Sequence, residues 1–254
     1  MERVKALLGP RGKKQRNLEH IFVADGLQSL RSALISKVAT APLIERLYLT
    51  EDGLEKLRSE FAAEMIEKHE TIMVSDQVMN AMADTESPQG IIALCKFLPP
   101  DLDRYAKTAL KKIAYFWQIQ DPGNAGTAIR TADACGFDLV MFSNQSVDIY
   151  SPKVVRSTAG SLWNIPVAQD VSLEGVESFA NERSLQRVAF DGAASQPMTV
   201  LDKTKAQILV FGNEGRGLPE LPPAFERVAI PMHGLAESFN VASAAAIAMY
   251  FLSN

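Results

Sequence analysis

The feature that most limits what this chain can fold into is an alternation in its second half. Short continuous apolar runs, IAYFWQI (113–119), FDLVMFS (137–143), RVAF (187–190), QILVFG (207–212) and RVAIP (227–231), are separated by stretches with room for a helix. Runs that are apolar on both faces suit strands covered on both sides. A strand–helix–strand rhythm then implies a mostly parallel sheet between helical layers. The first half repeats the rhythm with HIFVAD (20–25), IERLYLT (44–50), TIMV (71–74) and GIIALCKF (90–97). Between these runs Leu27, Leu30, Leu34 and Val38 fall near one helical face, a second helix runs to about Ile66, and Ser75 is placed to cap a short helix ending near Met82. LPPDLDRYAKT (98–108) reads as a linker. For 254 residues at roughly 150 per domain, the expectation is two α/β domains joined near residue 100.

Composition narrows the function classes. With 47% hydrophobic and 22% charged residues the chain is an ordinary globular one, not a disordered one. It holds no uncharged apolar run of the ~18 residues that a membrane helix needs. Its start, MERVKALLGPRGKKQRNLEH, lacks the apolar core of a secretory signal, so a cytoplasmic location is expected. Cys95 and Cys135 form no CxxC pair, and His20, His69 and His233 have no metal-ligand spacing; no metal is expected. A net charge of −4 argues against a protein that coats nucleic acid uniformly. Yet Arg3, Lys5, Arg11, Lys13, Lys14 and Arg16 follow one another with no acid among them. Such a cluster either neutralises phosphates or is a solvated terminus.

The last predicted helix, from about Asn240 to Leu252, is apolar nearly all round, with Val241, Ala245, Ala248 and Leu252 on one side and Ala244, Ile247 and Phe251 on another. A helix of that kind needs cover on most faces. A second subunit supplies it, or the interior of a monomer does.

Three segments carry chemistry-bearing residues. In QDPGNAGTAIRTADACGFD (120–138), Asn124 and Arg130 emerge past the end of a strand, where α/β sheets place their ligands. In ILVFGNEGRGLPEL (208–221), an apolar strand runs into three glycines in six residues around Asn213 and Glu214. Glycine lets backbone approach a ligand closely, and the missing Lys-Ser/Thr excludes a P-loop. The alternative for Glu214 is an ion pair with Arg130 or Arg216. In VAIPMHGLAESFNVASAAAIAMYF (228–251), Ser238 and Asn240 precede the apolar helix as caps or as ligand contacts.

In this order and spacing the segments resemble the three signature motifs of the SpoU (TrmH-like) branch of the SPOUT RNA 2′-O-ribose methyltransferases. NAGTAIRTA matches the first, GNEGRGL the second and IPMHGLAESFNVASA the third, and DIYSPKVVRSTAGS (148–161) resembles the stretch between motifs one and two. Two departures stand out: Ser238-Phe239-Asn240 where Ser-Leu-Asn is usual, and Val23-Ala24-Asp25-Gly26 where Val-Glu-Gly is usual.

The resemblance implies a catalytic α/β domain over 109–254 with a mostly parallel sheet and a deep trefoil knot. It implies a smaller α/β RNA substrate-binding domain over 17–98, with residues 1–16 as a basic extension and 99–108 as linker. It implies S-adenosylmethionine as methyl donor, a ribose 2′-hydroxyl in RNA as acceptor, and a homodimer formed through the C-terminal domain. Ribosomal RNA is the expected substrate; transfer RNA, or a non-catalytic RNA-binding or ribosome-assembly role on the same fold, are the alternatives. Carried over by position, Asn124, Arg130, Glu214, Ser238 and Asn240 form the catalytic set. Gly212, Asn213, Ile230, Met232 and Phe239 line the cofactor site, and Lys13, Lys14, Arg16, Lys153 and Arg156 contact RNA. Arg130 either accepts the hydroxyl proton or, since a guanidinium is a poor base, binds the neighbouring phosphate and polarises the hydroxyl.

Overall fold

The computed structural model describes residues 1–36, 38, 43–98 and 110–253. The chain packs as two compact units, Met1–Leu98 with Asp148–Asn164, and Pro99–Val147 with Ile165–Asn254. Apart from Leu98, the expected linker lies outside the described residues.

The first unit opens with helices α1 (Glu2–Leu8) and α2 (Gly12–Glu19). It continues through β1 (Ile21–Asp25), α3 (Leu27–Ile35), β2 (Ile44–Leu49), α4 (Glu51–Glu60), α5 (Ala63–Glu67), β3 (Glu70–Met73), α6 (Asp76–Met82) and β4 (Ile91–Lys96). Its sheet runs β1-β4-β2-β3, antiparallel at β1–β4 and β2–β4 and parallel at β2–β3. Ser75 caps α6 as expected, its hydroxyl accepting from the Val78 N–H. Two helices differ from the sequence reading. The one expected to reach Ile66 breaks at Phe61, which is extended, and α3 ends at Ile35, leaving Val38 outside it.

The basic terminus is no frayed extension, because Val4 and Leu7 of α1 are fully buried in the core with Ile21, Val23, Tyr48 and Met79. Residues 148–164, read from sequence as catalytic-domain chain, pack in this unit: Phe22 stands against Tyr150 and Trp163 at ring-centroid distances of 4.8 and 5.8 Å. Helix α8 (Pro152–Ser157) lies in that segment.

The second unit holds β5 (Lys112–Phe116), α7 (Pro122–Ala134), β6 (Leu139–Phe142), β7 (Val167–Ala168), α9 (Leu173–Glu182), β8 (Gln186–Phe190), β9 (Gln207–Phe211), β10 (Phe225–Val228) and α10 (Val241–Ser253). Its six strands are ordered β10-β8-β9-β5-β6-β7, and every adjacent pair is parallel. This is the sheet that continuous apolar runs call for, and its central strands β9, β5 and β6 are buried on both faces. Strand β5 has β6 on one side and β9 on the other, the point at which the strand order reverses.

Four phenylalanines occupy that end of the sheet. Phe142, Phe116, Phe211 and Phe190 sit opposite one another in register across β6, β5, β9 and β8. Their rings stack at 5.5, 5.1 and 4.9 Å.

Candidate active site

A cavity of about 530 Å³ opens at the carboxyl ends of β8 and β9 and beside the start of α10. Phe190 and Phe211 of the aromatic row form part of its wall, with Leu218, Ile230, Met232, Phe239 and Val241. Gly212, Asn213, Glu214, Gly215 and Gly217 supply a polar backbone side, and Asp191, Gly192, Ser238, Asn240 and Ala244 complete the lining.

The glycine-rich loop is shaped by its own residues. A Cβ on Gly212 would lie 2.5 Å from the Gly217 oxygen and 2.6 Å from the Leu218 nitrogen, so only glycine lets the loop fold back there. Asn213 and Gly217 exchange backbone hydrogen bonds of 2.8 and 3.0 Å, and Gly217 takes the positive φ that closes the turn. The Asn213 side-chain oxygen accepts from the N–H groups of Gly215 and Arg216 at 2.9 and 3.0 Å. Its Nδ2 donates to the Gln118 carbonyl at 2.6 Å, tying this loop to the one that leaves β5. Gln118 ends the strand expected to reach Ile119: its φ of 49° turns the chain.

Helix α7 presents the first segment. Pro122 occupies the first turn, where its missing N–H costs nothing, and the Asp121 carboxylate caps the helix by accepting from the Asn124 N–H at 2.8 Å. Asn124 then becomes the hub of a polar chain. Asn240 Nδ2 donates to Asn124 Oδ1 at 3.0 Å, and Asn124 Nδ2 donates to Glu214 Oε1 at 3.1 Å. Glu214 Oε2 also faces Asn213 Nδ2 at 3.4 Å. The direction of this chain is set at one end. Asn240 Oδ1 already accepts from the Ala242 and Ser243 N–H groups as the cap of α10, so its amide nitrogen must be the donor. One hydrogen-bonded chain therefore joins all three segments that the sequence singles out.

Arg130, on the same helix, is exposed, does not line the cavity, and has no side-chain partner among the described residues. Glu214 pairs with neither Arg130 nor Arg216, because the two asparagines occupy its carboxylate. Ser238 lies on the cavity wall as an exposed residue. Asp191 and Gly192 line the cavity without having been anticipated. Asp191 Oδ2 accepts from Arg227 at 2.9 Å and Oδ1 from the Ala193 N–H at 2.9 Å. The signal in the sequence was their place, directly after a strand.

The five basic residues expected to meet RNA all lie in the first unit and separate into two groups. Lys13, Lys14 and Lys153 are exposed. Arg16 is 5% exposed: its Nη2 donates to Asp148 Oδ2 at 2.7 Å, and its Nη1 to the Leu7 carbonyl. It is a structural cation, and the expectation that it contacts RNA is corrected. Arg156 is half-buried and donates to Asp84 Oδ2 at 2.9 Å. Beside it, burial raises the Asp25 carboxyl above the ordinary range, against the lowering by the Thr85 hydroxyl and the Arg156 charge.

Comparison with known proteins gives the family. The SpoU rRNA Methylase family matches residues 111–250, and the MRM3-like substrate binding domain matches residues 2–93. The 23S rRNA (guanosine(2553)-2′-O)-methyltransferase RlmP of Bacillus subtilis is 31% identical, over 94% of this chain and 91% of that protein. The 23S rRNA (uridine(2479)-2′-O)-methyltransferase of Streptomyces viridochromogenes is 31% identical, over 96% of this chain and 86% of that one. The crystal structure of the SpoU methyltransferase AviRb from Streptomyces viridochromogenes, in complex with the cofactor AdoMet, superposes with a TM-score of 0.82 at 26% identity, over 99% of this chain and 96% of that one. With its three motif segments joined around one cavity, this chain belongs to the SpoU rRNA methylase family and carries an MRM3-like substrate binding domain ahead of the methylase domain.

Proposed function

We propose that this protein methylates a ribose 2′-hydroxyl of ribosomal RNA with S-adenosylmethionine as donor, as a cytoplasmic homodimer. The observation that carries the reading is the chain Asn240–Asn124–Glu214–Asn213, which sets amide and carboxylate groups beside the cavity. A merely structural loop has no need to join all three segments in this way.

The cavity fits S-adenosylmethionine. Its volume lies within the roughly 300–1,000 Å³ usual for small-molecule sites. Phe211, Leu218, Ile230 and Phe239 offer apolar cover for an adenine. The backbone of 212–217, kept close by Gly212, would hold the polar edge of the cofactor. When bound, S-adenosylmethionine supplies a methyl carbon made electrophilic by its sulfonium, with a neutral thioether as leaving group.

The protein's own work is to orient the acceptor ribose and manage its proton. Good alignment of donor and acceptor contributes up to about 7–11 kcal/mol. Asn124 and Glu214 orient the ribose, and the unpaired Arg130 binds the adjoining phosphate and polarises the 2′-hydroxyl. A guanidinium, with a pKa above about 12, is better suited to that than to accepting the proton. The proton leaves through Ser238 or solvent at the exposed mouth.

The domain that matches a substrate-binding family would hold the RNA, with Lys13, Lys14 and Lys153 on phosphates. The catalytic domain would carry the trefoil knot of its family. Along α10, Tyr250 is 67% exposed and Ile247 and Phe251 are half-buried, an apolar face that a second copy would cover. The test is label transfer from S-adenosylmethionine to unmodified large-subunit rRNA, small-subunit rRNA and bulk tRNA. Label in rRNA is expected; label confined to tRNA would overturn the choice of acceptor.

A further inference from the structure

Arg216 stands at the tip of the glycine-rich loop, and nothing in the family motif assigns it a role. Its placement is unusual in three respects. First, its backbone is fixed: the Asn213 side chain accepts its N–H, and the paired backbone bonds of Asn213 and Gly217 close the turn around it. Second, Gly212, Asn213, Glu214, Gly215, Gly217 and Leu218 line the cavity, whereas Arg216, exposed among them, does not. Third, its charge is not spent inside the protein. The other described arginines of this unit, apart from Arg130, are held: Arg183 by Glu182, Arg187 by Asn181, and Arg227 by Asp191. Glu214, the acid two residues away, is engaged by asparagines instead.

A cation directed into the cavity would repel a sulfonium. One carried on a hydrogen-bonded loop, not lining the cavity, exposed and without a side-chain partner among the described residues, is suited to an anion of the other substrate. Resting on the methyltransferase reading, we propose that Arg216 is a positioning residue that binds a phosphodiester next to the acceptor ribose. It would set the register of the RNA on the site while contributing nothing to cofactor affinity. Guanidinium–phosphate pairing is bidentate, so it would orient the backbone as well as attract it.

The experiment compares wild type, Arg216→Gln and Arg216→Lys on an in vitro transcript of large-subunit rRNA, with KM and kcat for RNA measured across a salt series and S-adenosylmethionine affinity measured without RNA. For Arg216→Gln the expected result is a rise of about five- to tenfold in KM for RNA and a salt slope shallower by about 0.7, one phosphate's worth on single-stranded RNA, with cofactor affinity unchanged. Arg216→Lys should recover the salt slope but only part of the KM. An unchanged salt slope in Arg216→Gln, or weakened cofactor binding in its place, would overturn the assignment. A wild-type protein that methylates no RNA would instead defeat the underlying reading, and the two failures are thereby told apart.

Discussion

Asn124 is the side chain that links the other two motif segments of the site. It accepts from Asn240, donates to Glu214 and is itself set by the Asp121 cap. Replacing it with alanine removes both links and leaves Glu214 with the longer contact to Asn213 alone. We expect Asn124→Ala to lower kcat on RNA at least about 100-fold, as displacement of a positioning group by an ångström can. Asn124→Ala and Asn240→Ala should be strongly non-additive, because both break the same chain. Single-turnover kinetics on the two variants and the double variant check this; independent effects would contradict a shared chain. Both asparagines were legible in the sequence as motif positions. Their mutual contact was not, since 116 residues separate them and only the fold brings them together.

At the scale of elements, the parallel sheet was readable because its strands are apolar on both faces and so stand out as continuous runs. The row of phenylalanines was equally visible, one near the end of each of four runs, yet its meaning needed the register that sets Phe116 between Phe142 and Phe211. What sequence reading missed was short or held by tertiary contacts. The two-residue strand β7 has too little pattern to detect. Helices α1 and α2 read as a basic extension, RNA-binding or solvated, because their charges outnumber the two residues, Val4 and Leu7, that anchor α1. Helix α10 yields the prediction at this scale. On the proposed dimeric reading, its face of Ile247 and Tyr250 is a subunit contact, and Ile247→Asp with Tyr250→Asp is expected to convert a dimer into a folded monomer in analytical ultracentrifugation. A wild-type protein that is monomeric at micromolar concentration would contradict this.

Across the whole molecule, chain order and packing part company at residues 148–164, which belong with the first unit. The physical reason is a buried ion pair: Arg16 and Asp148 are 5% and 8% exposed, and Asp148 also accepts from the Tyr150 N–H at 2.9 Å. A basic residue inside a basic cluster gives no sign in the sequence that its partner lies 132 residues away. Asp148→Ala would leave the Arg16 charge buried and unmatched, a loss of about 3–5 kcal/mol. Thermal unfolding should show it as a lower melting temperature; an unchanged one would mean that the pair is dispensable. The catalytic claim is tested most directly by locating the transferred methyl group. Labelled S-adenosylmethionine and unmodified large-subunit rRNA are incubated with wild type and with Arg130→Ala, and the RNA is hydrolysed in alkali. The account predicts label in alkali-resistant dinucleotides with wild type and its loss, with cofactor binding retained, in Arg130→Ala. Label on a base, or undiminished 2′-O label with Arg130→Ala, would contradict it.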